Sequence, residues 1–297
     1  MITEERNPRT GDIDTLSVAE ILRRINDEDA MVAAAVARTL PAIEAVVERV
    51  AAAFAAGGRL IYVGAGTSGR LGALDAAECP TTYGTDPRQV RALLAGGPAA
   101  MTGAIEGAED DEAGGARDVD ALEVDGRDVV VGIAASGRTP YVVGALRRAG
   151  ARGACAAALV GDGAVPVAAV AQIVISPITG PEVVTGSTRM KAGTAQKLVL
   201  NMISTAAMIR TGHTYGNLMV DMQARNDKLR ERAARIVAQA TGASAATAAD
   251  ALAETDGEVK TAIVMLAAGV TAAAARERLV GARGVVRAAL EETEERA

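Results

Sequence analysis

The sequence is poor in side chains that stack, bind metals or carry imidazole chemistry. Across 297 residues there are one Phe, four Tyr and no Trp. There is one histidine, His213, and there are two cysteines, Cys79 and Cys155. A zinc site of His and Cys would have only these three ligands, fewer than the usual four, so no metal is expected. Two Cys in a chain of this length do not make a disulfide framework, which points to a reducing compartment. Aromatics are too scarce for base stacking and the net charge is −6, so nucleic acid is not an expected partner. No uncharged apolar run of about 20 residues is present, so no membrane span is expected. The opening residues are charged and carry no apolar stretch of the kind a secretion signal needs, so a cytoplasmic location is expected. Catalysis, if present, falls to carboxylates, hydroxyls and backbone amides.

What is present is alanine, 66 residues of it. An Ala side chain buries little area, at roughly 25 cal/mol per Å², so helices around such a core must approach closely. The length suits one large domain with a smaller module. Residues 1–57 read as helical. Ser17 and Glu20 fit a capping box ahead of a short helix. A second helix is expected from about Asp29 to Ala56, kinked at Pro41 and ended by Gly57-Gly58. Residues 58–225 change pattern. Short apolar runs at Arg59–Val63, Val129–Ala134, Ala156–Val160 and Gln172–Ser176 alternate with helical stretches, the signature of a parallel sheet covered on both faces. Residues 88–94 fit a strand or a helix. A long helix is expected from Thr188 to Arg210, with Leu198, Met202 and Thr205 facing inward. Residues 226–297 read as a small helical module over 228–241, 244–252, 258–268 and 271–279, with Gly242, Gly257 and Gly269 at the joints. The expected fold class is α/β, a three-layer αβα sandwich with a mostly parallel sheet.

Three polar loops stand at helix starts. Gly64-Ala65-Gly66-Thr67-Ser68-Gly69 follows the first strand and matches G-x-G-x-x-G. A dinucleotide site would need a full helix, a second strand and an acidic residue about 20 positions on. Here Pro80 is expected to stop the helix early, and Asp86 precedes Pro87 in a turn. The hydroxyls of Thr67 and Ser68 suit a compact phosphate better. The second loop, Ser136-Gly137-Arg138-Thr139, precedes Pro140, a residue suited to a first helical turn. The third includes Ser187, Thr188 and Lys191. Free amides and the helix dipole favour anions at such places. One such loop is an ordinary N-cap, but two directly after parallel strands carry more weight. In an open parallel sheet these loops meet beyond the carboxyl ends of the strands.

The strand-GAGTSGR and strand-ASGRTPY pair resembles a sugar isomerase (SIS) domain, which binds phosphosugars. The longer strings GAGTSGRLGALDAAECP, IEGAEDDEAGGA, GPEVVTGSTRMKAGTAQKLVLNMIST and GHTYGNLMVDMQARNDKL resemble the N-acetylmuramic acid 6-phosphate etherase family over nearly the whole chain. The resemblance implies cleavage of the lactyl ether of that sugar phosphate without metal or organic cofactor, in recycling of cell-wall muramic acid. It implies a homodimer and a UBA-like C-terminal module. By the same resemblance Glu78 matches the proton donor and Glu109 the second catalytic carboxylate, the base at C2. On the residues alone, Glu109 in its acidic run reads as a solvated face and Glu78 as a helix-end residue. Glu106, three positions before Glu109, would share its face on a helix and touch the sugar or tune its neighbour. The phosphate is expected near Ser136, Gly137 and Thr139, with Gly66, Thr67, Ser68, Ser187 and Thr188 completing the pocket. Arg138 and Lys191 either supply charge or lie on the surface. His213 reads as structural, and the two Cys as small buried hydrophobes.

Two other readings share the phosphate loops. An aldose–ketose isomerase of the SIS class would need a base near C2 but not the paired Glu78 and Glu109 motifs. A phosphosugar-sensing regulator resembling the glucokinase regulatory protein would be longer, with duplicated SIS domains.

Overall fold

The computed structural model describes residues 2–162, 164–222 and 227–291. Two compact units are present, residues 1–77 with 87–205, and residues 78–86 with 206–297. The expected boundary near residue 225 lies outside the described residues.

The first unit opens with three helices, α1 (Val18–Asp29), α2 (Val32–Ala37) and α3 (Leu40–Ala55). The Ser17 hydroxyl accepts from the Glu20 amide, and the Glu20 carboxylate accepts from the Ser17 amide, completing the expected capping box. The single helix expected over 29–56 is in fact α2 and α3. Pro41 stands in the first turn of α3, where no amide is needed, so it starts a helix and does not kink one.

There follow β1 (Leu60–Gly64), α4 (Gly66–Tyr83), β2 (Val90–Leu94), α5 (Glu112–Ala121), β3 (Val129–Ala134), α6 (Pro140–Ala151), β4 (Cys155–Val160), α7 (Pro166–Ala169), β5 (Ile173–Ile175) and α8 (Lys191–Arg210). The five strands are parallel, in the order β2-β1-β3-β4-β5. Every residue of β1 and β3 is buried, as a sheet covered on both faces requires. Ile61, Val63, Val130, Ala156 and Ala158 pack with Val119 of α5 and Val142, Leu146 and Ala149 of α6. The alternate residue Tyr62 turns to the other face and donates its hydroxyl to Asp75 of α4 at 2.8 Å. This is the expected three-layer sandwich. Residues 88–94, open between strand and helix by sequence, form the edge strand β2.

Helices α5 and α6 meet backbone to backbone. A Cβ on Gly115 would collide with the Tyr141 carbonyl oxygen, and one on Gly144 with that of Glu112. This is the close approach an alanine-rich core calls for.

The inward face of α8 differs from the expected one. Met202 and Thr205 are exposed and Leu198 is half-buried. The buried row is Lys191, Ala195, Val199, Ile203 and Ala207, at four-residue spacing. Lys191 sets this rotation. Its ammonium is drawn inside to Glu28 at 2.6 Å.

The second unit contains a short hairpin, β6 (Thr214–Tyr215) with β7 (Leu218–Met219), and the helices α9 (Asp227–Thr241), α10 (Ala245–Glu254), α11 (Val259–Ala268), α12 (Ala272–Gly281) and α13 (Val286–Glu291). Met222, Val237, Ile263, Val264, Leu279 and Val286 are in its core. Gly242, Gly257 and Gly269 stand at the joints with φ of +74°, +81° and +62°. The hairpin and α13 were not expected, although Gly216-Asn217 between two strands is a hairpin signal. No single described helix is long and apolar enough to cross a membrane.

Candidate active site

The strand order reverses at β1. Its sequence successor β2 lies on one side and β3 on the other. Open α/β sheets bind ligands beyond the carboxyl ends of the strands at such a switch point. Gly64 of β1 pairs with Ile133 of β3, so the first two glycine loops start side by side.

In the first loop α4 begins at Gly66 with almost no connection. The leading amides of a helix have no intrahelical partner and point out of its start. Gly66 is exposed, Thr67 half-buried and Ser68 buried. The Ser68 hydroxyl donates to Gln196 Oε1 of α8 at 3.0 Å. The first turn of α8 also lies against this loop, since a Cβ on Gly193 would sit 3.6 Å from the Thr67 methyl. In the second loop Gly137 has φ +66°, and Ser136 Oγ accepts from the Arg138 amide at 3.3 Å. Thr139 is the N-cap of α6 with no capping bond from its side chain. Its hydroxyl is therefore not committed to the helix. Arg138 is exposed.

The third loop is different. Its helix start is already filled by a carboxylate, because Glu182 accepts from the amides of Lys191 at 3.0 Å and Ala192 at 2.9 Å. The next amide, Gly193, goes to the Thr188 carbonyl. Burial pushes the Glu182 carboxyl above its usual range, and the two amides pull it back. What this loop offers a ligand is the half-buried hydroxyls of Ser187 and Thr188. Lys191 is buried, and its ammonium contacts Glu28 and the Thr179 carbonyl. Glu28 is held down to about 2, chiefly by the Arg9 guanidinium, with Lys191 and Asn7 adding to it.

Glu78 is exposed on α4, and its carbonyl accepts from the Thr81 hydroxyl. Pro80 does not stop this helix, which runs on to Tyr83. A full helix and a second strand therefore do follow the first glycine loop. Glu109 is exposed on a single 3₁₀ turn, Ala108–Asp110. Gly107, in the left-handed region at φ +72°, precedes that turn. Glu106 and Glu109 therefore do not share a helix face as expected. Glu78 belongs to the second unit, and Glu106, Glu109 and the three loops to the first.

Two supporting residues escaped the sequence reading. Arg70, just past the first loop, donates to the carbonyls of Ala100 at 2.9 Å and Gly103 at 2.7 Å. It thereby ties the start of α4 to the segment that leads into Glu106. Asp75 is buried on α4 and accepts from Tyr62, from Asn201 at 2.5 Å and from Ser204 at 3.1 Å. Burial raises its carboxyl above the ordinary value, and these donors work against that. Among the described residues no group of His, Cys, Asp and Glu is placed to hold a metal ion.

The fold and its loops have counterparts. Residues 42–149 match the family model of the glucokinase regulatory protein N-terminal SIS domain. A crystal structure from Bacteroides fragilis, a candidate phosphosugar isomerase involved in capsule formation, superposes with a TM-score of 0.51 at 19% identity, over 66% of this chain and 92% of that one. The parallel sheet with paired glycine loops at its switch point is thus an SIS fold. Similarity in sequence reaches much further. The chain is 56% identical over 290 residues to N-acetylmuramic acid 6-phosphate etherase of Photorhabdus laumondii, covering 98% of this chain and 96% of the relative. It is 54% identical over 291 residues to the enzyme of that name from Geobacillus thermodenitrificans, covering 98% and 99%. The chain belongs to the N-acetylmuramic acid 6-phosphate etherase family.

Proposed function

We propose that this protein is a carbon–oxygen lyase that cleaves the D-lactyl ether of N-acetylmuramic acid 6-phosphate, giving N-acetylglucosamine 6-phosphate and D-lactate in muramic acid recycling. The observation that carries the reading is identity above one half to etherases over nearly the whole chain. The ring-opened sugar has an aldehyde at C1, which acidifies the proton at C2. Glu109 removes that proton. The C2–C3 double bond forms as the C3–O bond breaks. The departing lactyl oxygen takes a proton from Glu78, because an alkoxide leaves poorly. Water then adds, its oxygen to C3 and a proton to C2. Each proton transfer by a placed carboxyl is worth about 10²–10⁴-fold.

The phosphate sits at Ser136, Gly137 and Thr139, with Gly66, Thr67 and Ser68 beside it and Ser187 and Thr188 closing the pocket. The exposed Arg138 adds charge, and Glu106 contacts the sugar. Lys191 contributes by shaping the third loop, since its ammonium is engaged with Glu28. Residues 1–57 serve as a helical lead, 58–225 as the phosphosugar-binding domain and 226–297 as a helical module. The protein acts as a cytoplasmic homodimer. Exposed apolar side chains on helix surfaces, Met202 and Ile209 on α8 and Val18 and Leu22 on α1, support self-association.

The test is direct. Purified protein mixed with N-acetylmuramic acid 6-phosphate should release D-lactate, and folded protein that releases none would overturn the reading.

A further inference from the structure

Glu78 lies in the segment 78–86, which clusters with residues 206–297. Pro80 weakens the tie between this segment and the helix before it, since it has no amide to donate. The far end of the segment is held from the C-terminal side. The Tyr83 carbonyl, one of the orphan acceptors at the end of α4, lies 3.1 Å from His213 Nδ1. A carbonyl can only accept, so Nδ1 carries the proton. Asp221 Oδ2 is 2.7 Å from the same nitrogen and 2.5 Å from Lys260 Nζ on α11, close approaches of charge without hydrogen-bond geometry. The side chains of His213, Asp221 and Lys260 are 21%, 22% and 16% exposed, so water screens these contacts only in part. The Tyr83 ring meets the imidazole edge-on, with centroids 6.3 Å apart. The backbones are pressed together as well. Gly84, at φ +65°, would collide with the Asp221 carbonyl if it carried a Cβ. His213 itself is anchored through its amide to Met208, a fully buried residue.

We propose that His213 is a positioning residue, and that Lys260, Asp221 and His213 form a strut from the C-terminal helices to the end of α4 that holds Glu78 in place for ether cleavage. The inference rests on Glu78 being the proton donor. Five residues of helix, about 7.5 Å of rise, separate Glu78 from the strut. The strut acts through Nδ1 alone, whereas a catalytic imidazole would act through Nε2. It also gives the C-terminal helices a part in the reaction.

The experiment compares two steps in the full-length protein, exchange of the C2 proton with solvent and release of D-lactate. In His213→Ala and His213→Gln, lactate release should fall about 10²-fold, the effect of a misplacement near 1 Å, with exchange kept within about threefold. His213→Asn, whose amide nitrogen can stand where Nδ1 stood, should recover most of the loss. Lys260→Met breaks the strut at its far end and should show the same split, which guards against a misfolded His213 variant. Equal losses in both steps, recovery by Gln instead of Asn, or no loss in His213→Ala would overturn the proposal. The ¹⁵N spectrum of the single histidine gives a reading independent of Glu78. A proton on Nδ1 is expected, and a ring that carries its only proton on Nε2 would overturn the strut. If Glu78→Gln leaves the ratio of lactate release to exchange unchanged, the assignment of Glu78 fails while the spectrum still decides the strut.

Discussion

The buried carboxylate of Glu28 is shared by Lys191, Arg9 and Asn7. Removing one partner of a buried pair strands charge and typically costs 3–5 kcal/mol. With Arg9 and Asn7 still in place, Lys191→Met should cost about 3 kcal/mol, the low end of that range, read as a lower urea midpoint. The acid limb of stability follows from the same cluster. Glu28 sits at about 2 in the folded protein against an ordinary 4.5, so its contribution is complete above 4.5 and is lost as pH falls toward 2. Glu28→Gln should remove that limb from the pH profile of unfolding. Asp75 has the opposite sign. Its carboxyl is raised by burial, so its contribution is present in acid and lost as pH rises through the folded value. On the proposed roles of the two glutamates, Glu109→Gln should abolish C2 proton exchange, whereas Glu78→Gln should slow lactate release more than exchange. Equal exchange in wild type and Glu109→Gln would remove Glu109 as the base.

Between elements, the tightest fit is α5 on α6. Gly144→Ala must push a methyl into the Glu112 carbonyl and should cost about 1–3 kcal/mol, measured as a drop in Tm. The strands β1, β3, β4 and β5 were legible because a sheet covered on both faces writes itself as continuous apolar runs. β2 was ambiguous because it is an edge strand in which Arg91, Ala92 and Leu93 are only half-buried. The rotation of α8 was misread because its inward row includes Ala195, Ala207 and a lysine, which give hydropathy little contrast. Only the distant Glu28 explains why that lysine turns in. Pro80 looked like a helix stop by local rules, yet the turn beyond it is supported by His213, 130 positions away. The glycine loops were legible because their backbone needs are local. The ties of Ser68 to Gln196 and of Asp75 to Asn201 and Ser204 span more than 120 positions and leave no local trace.

For the molecule as a whole, scattering or sedimentation should give about twice the chain mass of 30.1 kDa. Met202→Glu, which places a charge on an exposed apolar face, should shift the protein toward monomer. A chelator should leave lactate release unchanged if the proposed chemistry by Glu78 and Glu109 holds, and loss of activity with the chelator would overturn it. The second unit is also discontinuous in the chain, being assembled from residues 78–86 and 206–297. A ribosome working at about 5–20 residues per second delivers the first piece roughly 6–24 s before the second begins to appear. The first unit can thus gather its sheet and glycine loops on the nascent chain while the turn that bears Glu78 still waits for its partners. Because Lys260 comes later in the chain than every part of the first unit, the end of α4 gains this contact only after the sheet has been made, and a chain cut before Lys260 would keep the glycine loops while the segment that bears Glu78 lacked its support.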